Sequence, residues 1–157
     1  MSFEPRNPQF ESRVRQSFDR QGFMHTLGAS LARVETGLVE IVLPYRPELS
    51  QQHGYFHGGV IGTLADNACG YAAFTLMAAE DSVLTAEYKI NLLAPGDGET
   101  LIARGQVLRP GRTLTVCEAR VYAVKDGRQK LCATALATLI TLANQSDDAH
   151  RAADSIQ

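Results

Sequence analysis

The segment from residue 57 to residue 79 constrains the fold more than any other part of this sequence. It is rich in alanine and glycine, and after His57 it contains a single charged side chain, Asp66. A helix that is apolar on almost every side is buried on most of them. The remainder of the chain must therefore surround this helix, which requires a broad apolar surface such as one face of a sheet.

Strand signals on both sides of the helix supply that surface. Stretches rich in β-branched residues end at turn residues, which predicts six strands. Because the connections are short, we expect neighbouring strands to pair in sequence and antiparallel. The predicted strands span residues 26–34, 38–43, 83–93, 99–109, 113–124 and 129–142. The predicted fold class is α+β, with a curved antiparallel sheet of five to six strands wrapped around one long central helix.

A short amphipathic helix is predicted ahead of the first strand. Asn7 is suited to its N-cap and Pro8 to its first helical position, while Gly22 is a candidate C-terminal stop. A chain of 157 residues fits one domain. We expect that domain to have its core at about residues 20–142 and a disordered tail at residues 143–157.

Composition argues against several classes of protein. The formal net charge is −2, without the basic excess that is typical of a nucleic-acid binder. No uncharged apolar run is long enough to span a membrane and the N-terminus lacks a signal-peptide pattern, so we predict a cytoplasmic protein with no membrane partner. Cys69, Cys117 and Cys132 have no Cys-x-x-Cys spacing, which indicates packed thiols rather than a disulfide framework or a metal site. We expect neither a metal nor a cofactor.

Asp66 is the candidate functional residue of the central helix. Its helical neighbours three and four residues away are Gly62, Thr63, Cys69 and Gly70, none of which is cationic. A carboxylate in such surroundings is costly unless it is paired or solvated. Two interpretations stay open: an exposed or amide-bonded aspartate, or a carboxylate that lines a cleft and serves as general base or nucleophile.

The residues His57, Gly58 and Gly59 lie at the predicted N-terminus of the same helix. The first N–H groups of a helix have no internal partner, and two glycines leave them open to an oxyanion or a polarised carbonyl, although Gly-Gly alone is more often a turn. His57 and Asp66 are nine residues apart, about 13.5 Å on a helix, so both cannot act on one atom. If both are catalytic, a second subunit must complete the site.

These residues resemble the hotdog-fold acyl-CoA thioesterases, specifically the phenylacetic-acid-degradation (PaaI-like) branch. The pattern is His57-Gly58-Gly59, then Leu64-Ala65-Asp66, then Gly70-Tyr71-Ala72, and the likeness extends over about residues 20–142. The resemblance implies hydrolysis of acyl- or aryl-CoA thioesters by a homodimer or a dimer of dimers, with active sites shared across the dimer and CoA as part of the substrate.

The resemblance also implies roles for individual residues. Asp66 would activate water or attack the carbonyl, the Gly59 amide, with Gly58 beside it, would polarise the thioester oxygen, and His57 would support that loop. Gln51 stands where the family often has an asparagine, and Thr85 matches a serine or threonine that assists the carboxylate, although the spacing differs by one residue.

Binding of the CoA moiety of the substrate is predicted for four residues. Arg109 and Arg112 place two guanidinium groups around a turn, which suits phosphates, although solvated turn arginines are nearly as common. Thr113 and Asn91 complete the predicted CoA-binding set.

Two alternative functions stay open. One is a non-catalytic acyl- or CoA-binding protein in which Asp66 shapes the pocket. The other is a hotdog hydratase or dehydratase, although the Pro-Gly context of such motifs is absent here. No Gly-x-Ser-x-Gly elbow and no P-loop occurs in the sequence, so serine hydrolases and nucleoside triphosphatases have no support.

Overall fold

A computed structural model describes residues 3–147 of the chain, so residues 148–157 of the predicted tail lie outside the described residues. The described part contains three α-helices, of which one is long, and a sheet of six strands. The helices are α1 (Phe10–Asp19), α2 (Gly22–Leu27) and α3 (Gly58–Phe74). The strands are β1 (Ser30–Glu35), β2 (Leu38–Pro44), β3 (Ser82–Leu92), β4 (Thr100–Arg109), β5 (Leu114–Lys125) and β6 (Arg128–Leu142).

The sheet is antiparallel throughout, in the order β1-β2-β4-β5-β6-β3. The α+β class, the strand number and the long helix packed on the sheet are therefore as predicted. Pairing in sequence order is wrong for β3, which pairs with β6 instead of β4. The segment after β3 makes no tight turn: Gly96 bridges to Phe56, and the Leu93 N–H donates to the Cys132 carbonyl (2.8 Å). These bonds hold the segment between β3 and β4 in an extended path, so the two strands do not form a hairpin.

Helix α3 packs on the inner face of the sheet and contacts β2, β3, β4, β5 and β6. Inward-facing residues alternate with outward ones along β4 and β5, and many of them are small, which lets the helix approach closely. At Gly105 a Cβ would lie 2.2 Å from the backbone of Ala68. The helix backbone thus lies directly on β4, and position 105 requires glycine.

The end of α3 is fixed by Thr75. Its hydroxyl donates to the Ala72 carbonyl and accepts from the Gly37 N–H, each at 2.7 Å. The helix is therefore shorter than the apolar segment at residues 57–79, because its C-terminus is attached to the turn between β1 and β2.

The N-terminal region differs in detail from the prediction. Asn7 is not the N-cap of α1, since its Oδ1 accepts from the Gln9 N–H (3.0 Å) in the turn just before the helix. Gly22 does not stop a helix but begins α2, which ends at Gly28 in a left-handed conformation (φ +78°). The predicted strand at 26–34 therefore loses its first residues to α2.

The two edges of the sheet differ. Strand β1 is short and carries a β-bulge between Leu31 and Arg33. Strand β3 is 11 residues long, and the large side chains of Leu84, Tyr88 and Leu92 are exposed along it. Long edges with exposed apolar residues are unusual in proteins that stay monomeric. In residues 3–147, no helix combines the length and the apolar character that a membrane span requires.

Candidate active site

The carboxylate of Asp66 lies half-buried in the middle of α3 and faces β3. The Thr85 hydroxyl donates to Asp66 Oδ1 at 2.7 Å. A hydroxyl donor fixes the orientation of a carboxylate and leaves its second oxygen available. The structure thus brings together two of the predicted catalytic residues, which are 19 positions apart in sequence.

A β-bulge explains how Thr85 reaches Asp66. The register of β3 against β6 shifts between Thr85 and Glu87, so Ala86 is the extra residue. Thr85 pairs with the buried Leu139, and Tyr88 pairs with the buried Ala137, so both point towards α3. Without the extra residue, side chains three positions apart would face opposite sides of the sheet.

A pocket of about 470 Å³ opens beside the Asp66 carboxylate. We call it the carboxylate pocket. Its walls come from α1, α3, the start of β3 and the end of the described chain. It is lined by Ser17, Arg20, Gln21, Asp66, Asn67, Gly70, Tyr71, Val83, Leu84, Thr85 and Asp147.

The polar side chains of the carboxylate pocket have defined partners. The Tyr71 hydroxyl accepts from Gln21 Nε2 (2.9 Å) and shares a hydrogen bond with Ser17 Oγ (3.2 Å). Arg20 pairs with Asp147 (2.8 Å). Burial raises the pKa of the Tyr71 hydroxyl, so this group stays protonated at neutral pH. Sequence reasoning missed Ser17, Gln21 and Tyr71 as pocket residues, and the one available signal was a tyrosine within an alanine-rich helix.

At the N-terminus of α3, His57 acts as the N-cap. Its Nδ1 accepts from the Gly59 N–H at 2.9 Å, which places the hydrogen of the neutral ring on Nε2. The Gly59 amide, predicted as the main oxyanion donor, is therefore already bonded within the protein. The Gly58 N–H has no acceptor among residues 3–147, so it is the open donor at this helix end.

Gln51 lies in the same region as Gly58. Its Oε1 accepts from the His53 N–H, which orients the side-chain amide and leaves Nε2 available to donate. Both residues line a second cavity of about 530 Å³, which we call the donor groove. Its lining is largely apolar or backbone: Gln51, His53, Tyr55, Phe56, Gly58, Ile61, Leu92, Leu93, Ala94, Pro95 and Gly96.

The residues predicted to bind CoA do not form one cluster within the protomer. Arg109, Arg112 and Thr113 lie at the turn between β4 and β5, where Leu114 pairs with Ile140. Asn91 lies at the other end of the sheet, opposite Thr134, and its Oδ1 accepts from Lys89 Nζ (2.8 Å). Thr134 and Ile140 are six positions apart on β6, so the Leu114 end of the turn lies about 20 Å along the strand from Asn91. One protomer therefore cannot use all four residues on one ligand group.

The two cavities also lie apart along α3. Gly58 and Asp66 are eight residues apart, about 12 Å of helix rise. The carboxylate pocket offers a carboxylate and the donor groove offers N–H donors. Together these groups could activate water and stabilise an oxyanion, but a single chain does not place them around one atom.

The three cysteines are buried free thiols. Burial raises the pKa of Cys117 to about 12 and that of Cys69 further, so neither is a ready nucleophile at neutral pH. Between residues 3 and 147, no group of three or more His, Cys, Asp or Glu side chains is arranged to hold a metal ion.

Known proteins of related sequence and structure identify the family. Residues 53–130 match the family model described as Thioesterase superfamily. A thioesterase family protein from Silicibacter pomeroyi, known from its crystal structure, is 48% identical, with a TM-score of 0.84 over 85% of this chain and 98% of its own. A 1,4-dihydroxy-2-naphthoyl-CoA hydrolase from Listeria monocytogenes is 26% identical over 75% of this chain and 94% of its own.

A third similarity concerns the fold alone. The Escherichia coli PaaI protein from the phenylacetic acid degradation operon superposes with a TM-score of 0.78 at 20% identity, over 88% of this chain and 96% of its own. The hotdog fold that the sequence resemblance implied is thereby confirmed.

Proposed function

This chain belongs to the thioesterase superfamily, and from that premise we propose that it hydrolyses acyl- or aryl-CoA thioesters to the free acid and CoA. Family membership supports thioester hydrolysis, and the naphthoyl-CoA hydrolase relative supports a CoA thioester as substrate. The observation that carries the proposal is the oriented carboxylate of Asp66, which is bonded by Thr85 and opens onto a pocket that an acyl group can fill.

Asp66 acts on the attacking water in this proposal. Its free carboxylate oxygen takes a proton from water as the water oxygen forms a bond to the thioester carbonyl carbon. The tetrahedral intermediate then collapses, the carbon–sulfur bond breaks, and the CoA thiolate leaves and takes up a proton. Direct attack by the Asp66 carboxylate is the variant mechanism, in which a carbon–oxygen bond forms, the carbon–sulfur bond breaks with loss of the CoA thiolate, and water hydrolyses the resulting anhydride to the free acid and the Asp66 carboxylate.

The oxyanion of the intermediate is stabilised in the donor groove. The Gly58 N–H is the open backbone donor, and Nε2 of Gln51 is the second. The helix dipole of α3 adds positive potential at this end. His57 is a positioning residue, since its bond to the Gly59 N–H fixes the first turn of the helix.

Two copies of the chain build each site in this proposal. The base of one protomer and the donors of its partner meet if the two copies associate along β3, whose outer edge pairs with no other strand among the described residues. Antiparallel association with Tyr88 on the two-fold axis would place Glu87 opposite Lys89 of the other copy, so the charges of that edge are complementary to themselves. The assembly is a homodimer or a dimer of dimers.

The four predicted CoA-binding residues fit the same arrangement. Because a two-fold axis at β3 reverses the partner, it brings the two ends of the sheet in neighbouring copies closer than they lie in one protomer. Arg109, Arg112 and Thr113 of one copy and Asn91 of the other would then contact the same CoA moiety. The reaction as written needs no metal and no redox cofactor, and the protein is proposed to work in the cytoplasm.

Replacement of Asp66 by asparagine tests the proposal. Asp66→Asn keeps the side-chain volume and a hydrogen bond to Thr85, but it removes the proton acceptor. We expect thiol release from a panel of acyl- and aryl-CoAs to fall by about 10²–10⁴-fold, as measured with a thiol reagent. Asp126→Asn is the matched control, since Asp126 lies in an exposed hairpin turn whose positive φ (50°) suits asparagine equally well.

Two outcomes would contradict the proposal. Unchanged turnover in Asp66→Asn would exclude the catalytic role of the carboxylate. Tight binding of acyl-CoA by the unmodified protein without any release of thiol would show a binding protein instead of an enzyme.

A further inference from the structure

A further cavity, of about 310 Å³, lies at the C-terminal end of α3. We call it the distal cavity. Its walls come from the N-terminal segment, the end of α3, the turn between β4 and β5, the start of β5 and the end of β6. It shares no lining residue with the carboxylate pocket or the donor groove. Ala73 on its wall is seven residues from Asp66, about 10.5 Å of helix rise, so the distal cavity is separate from the proposed catalytic site.

The floor of the distal cavity carries a buried hydroxyl without a partner in the described chain. Thr115 is only 4% exposed, and its pairing with the buried Leu139 turns its side chain to the inner face of the sheet. Within residues 3–147, every fully enclosed N or O atom of a buried or half-buried side chain has a hydrogen-bond partner, whereas the Thr115 hydroxyl has none. The Thr115 oxygen therefore opens onto the cavity that it lines. Because a buried hydroxyl without a hydrogen bond is costly, this position favours a ligand with a polar group.

A second threonine hydroxyl lies on the same floor. Thr141 follows Leu139 by two residues on β6, so it faces the same side of the sheet, and it also lines the cavity. Its N–H donates to the Thr113 carbonyl (2.8 Å), but its hydroxyl makes no hydrogen bond to the described part of the chain. Each hydroxyl can accept a hydrogen bond, so the floor suits a ligand group that has more than one donor.

The charges near the floor favour a cationic group. Helix α3 ends here at Phe74 without a basic residue in its last turn, and the C-terminal end of a helix is negative. Glu4 lines the cavity and makes no ion pair within residues 3–147. Arg13 also lies near this helix end, but it donates to the carbonyls of Ala78 and Asp81 and does not line the cavity. A primary ammonium, which has three donors and a positive charge, is complementary to these groups.

The mouth of the distal cavity holds the opposite charge. Arg6 is exposed, lines the cavity two residues after Glu4, and has no ion pair in the described chain. A ligand with an ammonium alone would leave this cation unmatched, whereas a carboxylate on the same ligand binds the guanidinium. Between the charged groups the wall is apolar, from Ala73, Leu76 and Met77. The cavity has the size of a small-molecule site at the lower end of the usual range.

From these observations we propose that the distal cavity binds a free α-amino acid with an apolar side chain, such as leucine or methionine. The ammonium group of the amino acid contacts the hydroxyls of Thr115 and Thr141 and the carboxylate of Glu4. Its carboxylate contacts Arg6, and its side chain packs on the end of α3. The distal cavity contains none of the proposed catalytic residues, so this second ligand site does not depend on the proposed hydrolysis.

Calorimetric titration with leucine and two analogues tests the proposal. Leucinamide keeps the ammonium but lacks the carboxylate, and N-acetylleucine keeps the carboxylate but lacks the ammonium. We expect saturable binding of leucine to the unmodified protein at one site per chain. The affinities for the two analogues should be lower by about tenfold or more, since each analogue loses a charge-assisted hydrogen bond.

Two variants locate the bound amino acid. Thr115→Val keeps the shape of the side chain but removes the hydroxyl, so the affinity for leucine should fall by about tenfold. Because this hydroxyl has no partner in the described chain, the unfolding temperature of Thr115→Val without ligand should be at least as high as that of the unmodified protein. Arg6→Gln removes the partner of the carboxylate, and its affinity for leucine should fall to that of the unmodified protein for leucinamide.

Thr134→Val is the matched control, since Thr134 lies between the buried Ala133 and Ala135 on the outer face of β6, outside the cavity, and should leave leucine binding unchanged. The proposal fails if neither leucine nor methionine binds saturably, if either analogue binds as tightly as leucine, or if the affinity survives both Thr115→Val and Arg6→Gln. Asp66→Asn should bind leucine normally, and a loss there would place the amino acid in the carboxylate pocket instead. The titration needs no turnover, so its result is independent of whether thioesters are hydrolysed.

Discussion

The carboxylate pocket and the donor groove lie on the same helix but have opposite chemistry. In the carboxylate pocket, polar side chains from several elements surround Asp66, and most of them are bonded to one another. In the donor groove, the walls are largely apolar side chains such as Phe56 and Leu92, and the Gly58 N–H is a donor without an acceptor in the described chain. The carboxylate pocket therefore holds a negative charge of the protein, whereas the donor groove holds donors that can stabilise a negative charge on the substrate.

This difference has a physical reason. A carboxylate that must act as a base has to stay ionised, and polar, partly solvated surroundings allow that. Donors that stabilise a transient oxyanion are most effective where water and competing dipoles are excluded, because electrostatic interactions are stronger there. If the carboxylate and the N–H donors of one chain shared the same surroundings, either the ionised base or the oxyanion stabilisation would be weakened. The separation along α3 therefore suits a site that assembles only when two chains meet.

After Asp66→Asn, the largest effect is expected from removing the open donor alone. Gly58 is the first residue of α3, and its N–H makes no bond within the described chain, so Gly58→Pro removes the donor without removing a helix hydrogen bond. His57 already has an extended backbone (ψ 139°), which the residue before a proline requires. We expect kcat to fall by about 10²–10³-fold in a steady-state assay.

Gly58→Ala separates this effect from crowding. Alanine keeps the N–H but adds a Cβ that would lie 2.9 Å from Leu92 Cδ1, the flexible end of a side chain that can move. The loss in Gly58→Ala should therefore be much smaller than in Gly58→Pro. Equal losses in the two variants, with circular dichroism showing intact folding, would mean that the groove supplies space and not a donor.

The sequence predicted the features that depend on neighbouring residues and missed those that depend on distant ones. Asp66 could be singled out because a lone charge in an apolar helix is a local feature, and the hairpins β4–β5 and β5–β6 have local turn signals. The bulge at Ala86, which turns Thr85 towards Asp66, depends on pairing with β6 and has no local signal. The placement of β3 beside β6 was missed for the same reason.

In the donor groove, the hydrogen bond between His57 and the Gly59 N–H determines which backbone donor is open. The sequence placed the helix N-terminus correctly at His57, but it could not show that the imidazole itself would bond the Gly59 N–H and leave Gly58 as the open donor. The walls of the carboxylate pocket could not be predicted either, because α1, α3 and β3 meet there only through tertiary packing.

A mixture of two inactive variants tests whether the two regions belong to different chains. In a heterodimer of Asp66→Asn and Gly58→Pro, one site combines the intact Asp66 of one chain with the intact Gly58 of the other. Random exchange of subunits makes about half of the dimers mixed, each with one working site, so activity should return to roughly a quarter of that of the unmodified protein. If both groups came from one chain, mixing would restore nothing, and size-exclusion chromatography with tagged chains would confirm that exchange had occurred.

The smallest effect is expected at the bond that holds the base in place. Thr85→Val keeps the shape of the side chain on β3 but removes the hydroxyl that donates to Asp66 Oδ1 at 2.7 Å. The carboxylate then loses its fixed orientation but remains in place as the proton acceptor, so we expect kcat to fall by about tenfold, far less than in Asp66→Asn. Thr85→Ser retains the donor and should recover most of the activity. A loss in Thr85→Val as large as that in Asp66→Asn would show that Thr85 contacts the substrate. The catalytic part of the carboxylate pocket would then include a residue of β3 as well as Asp66 of α3.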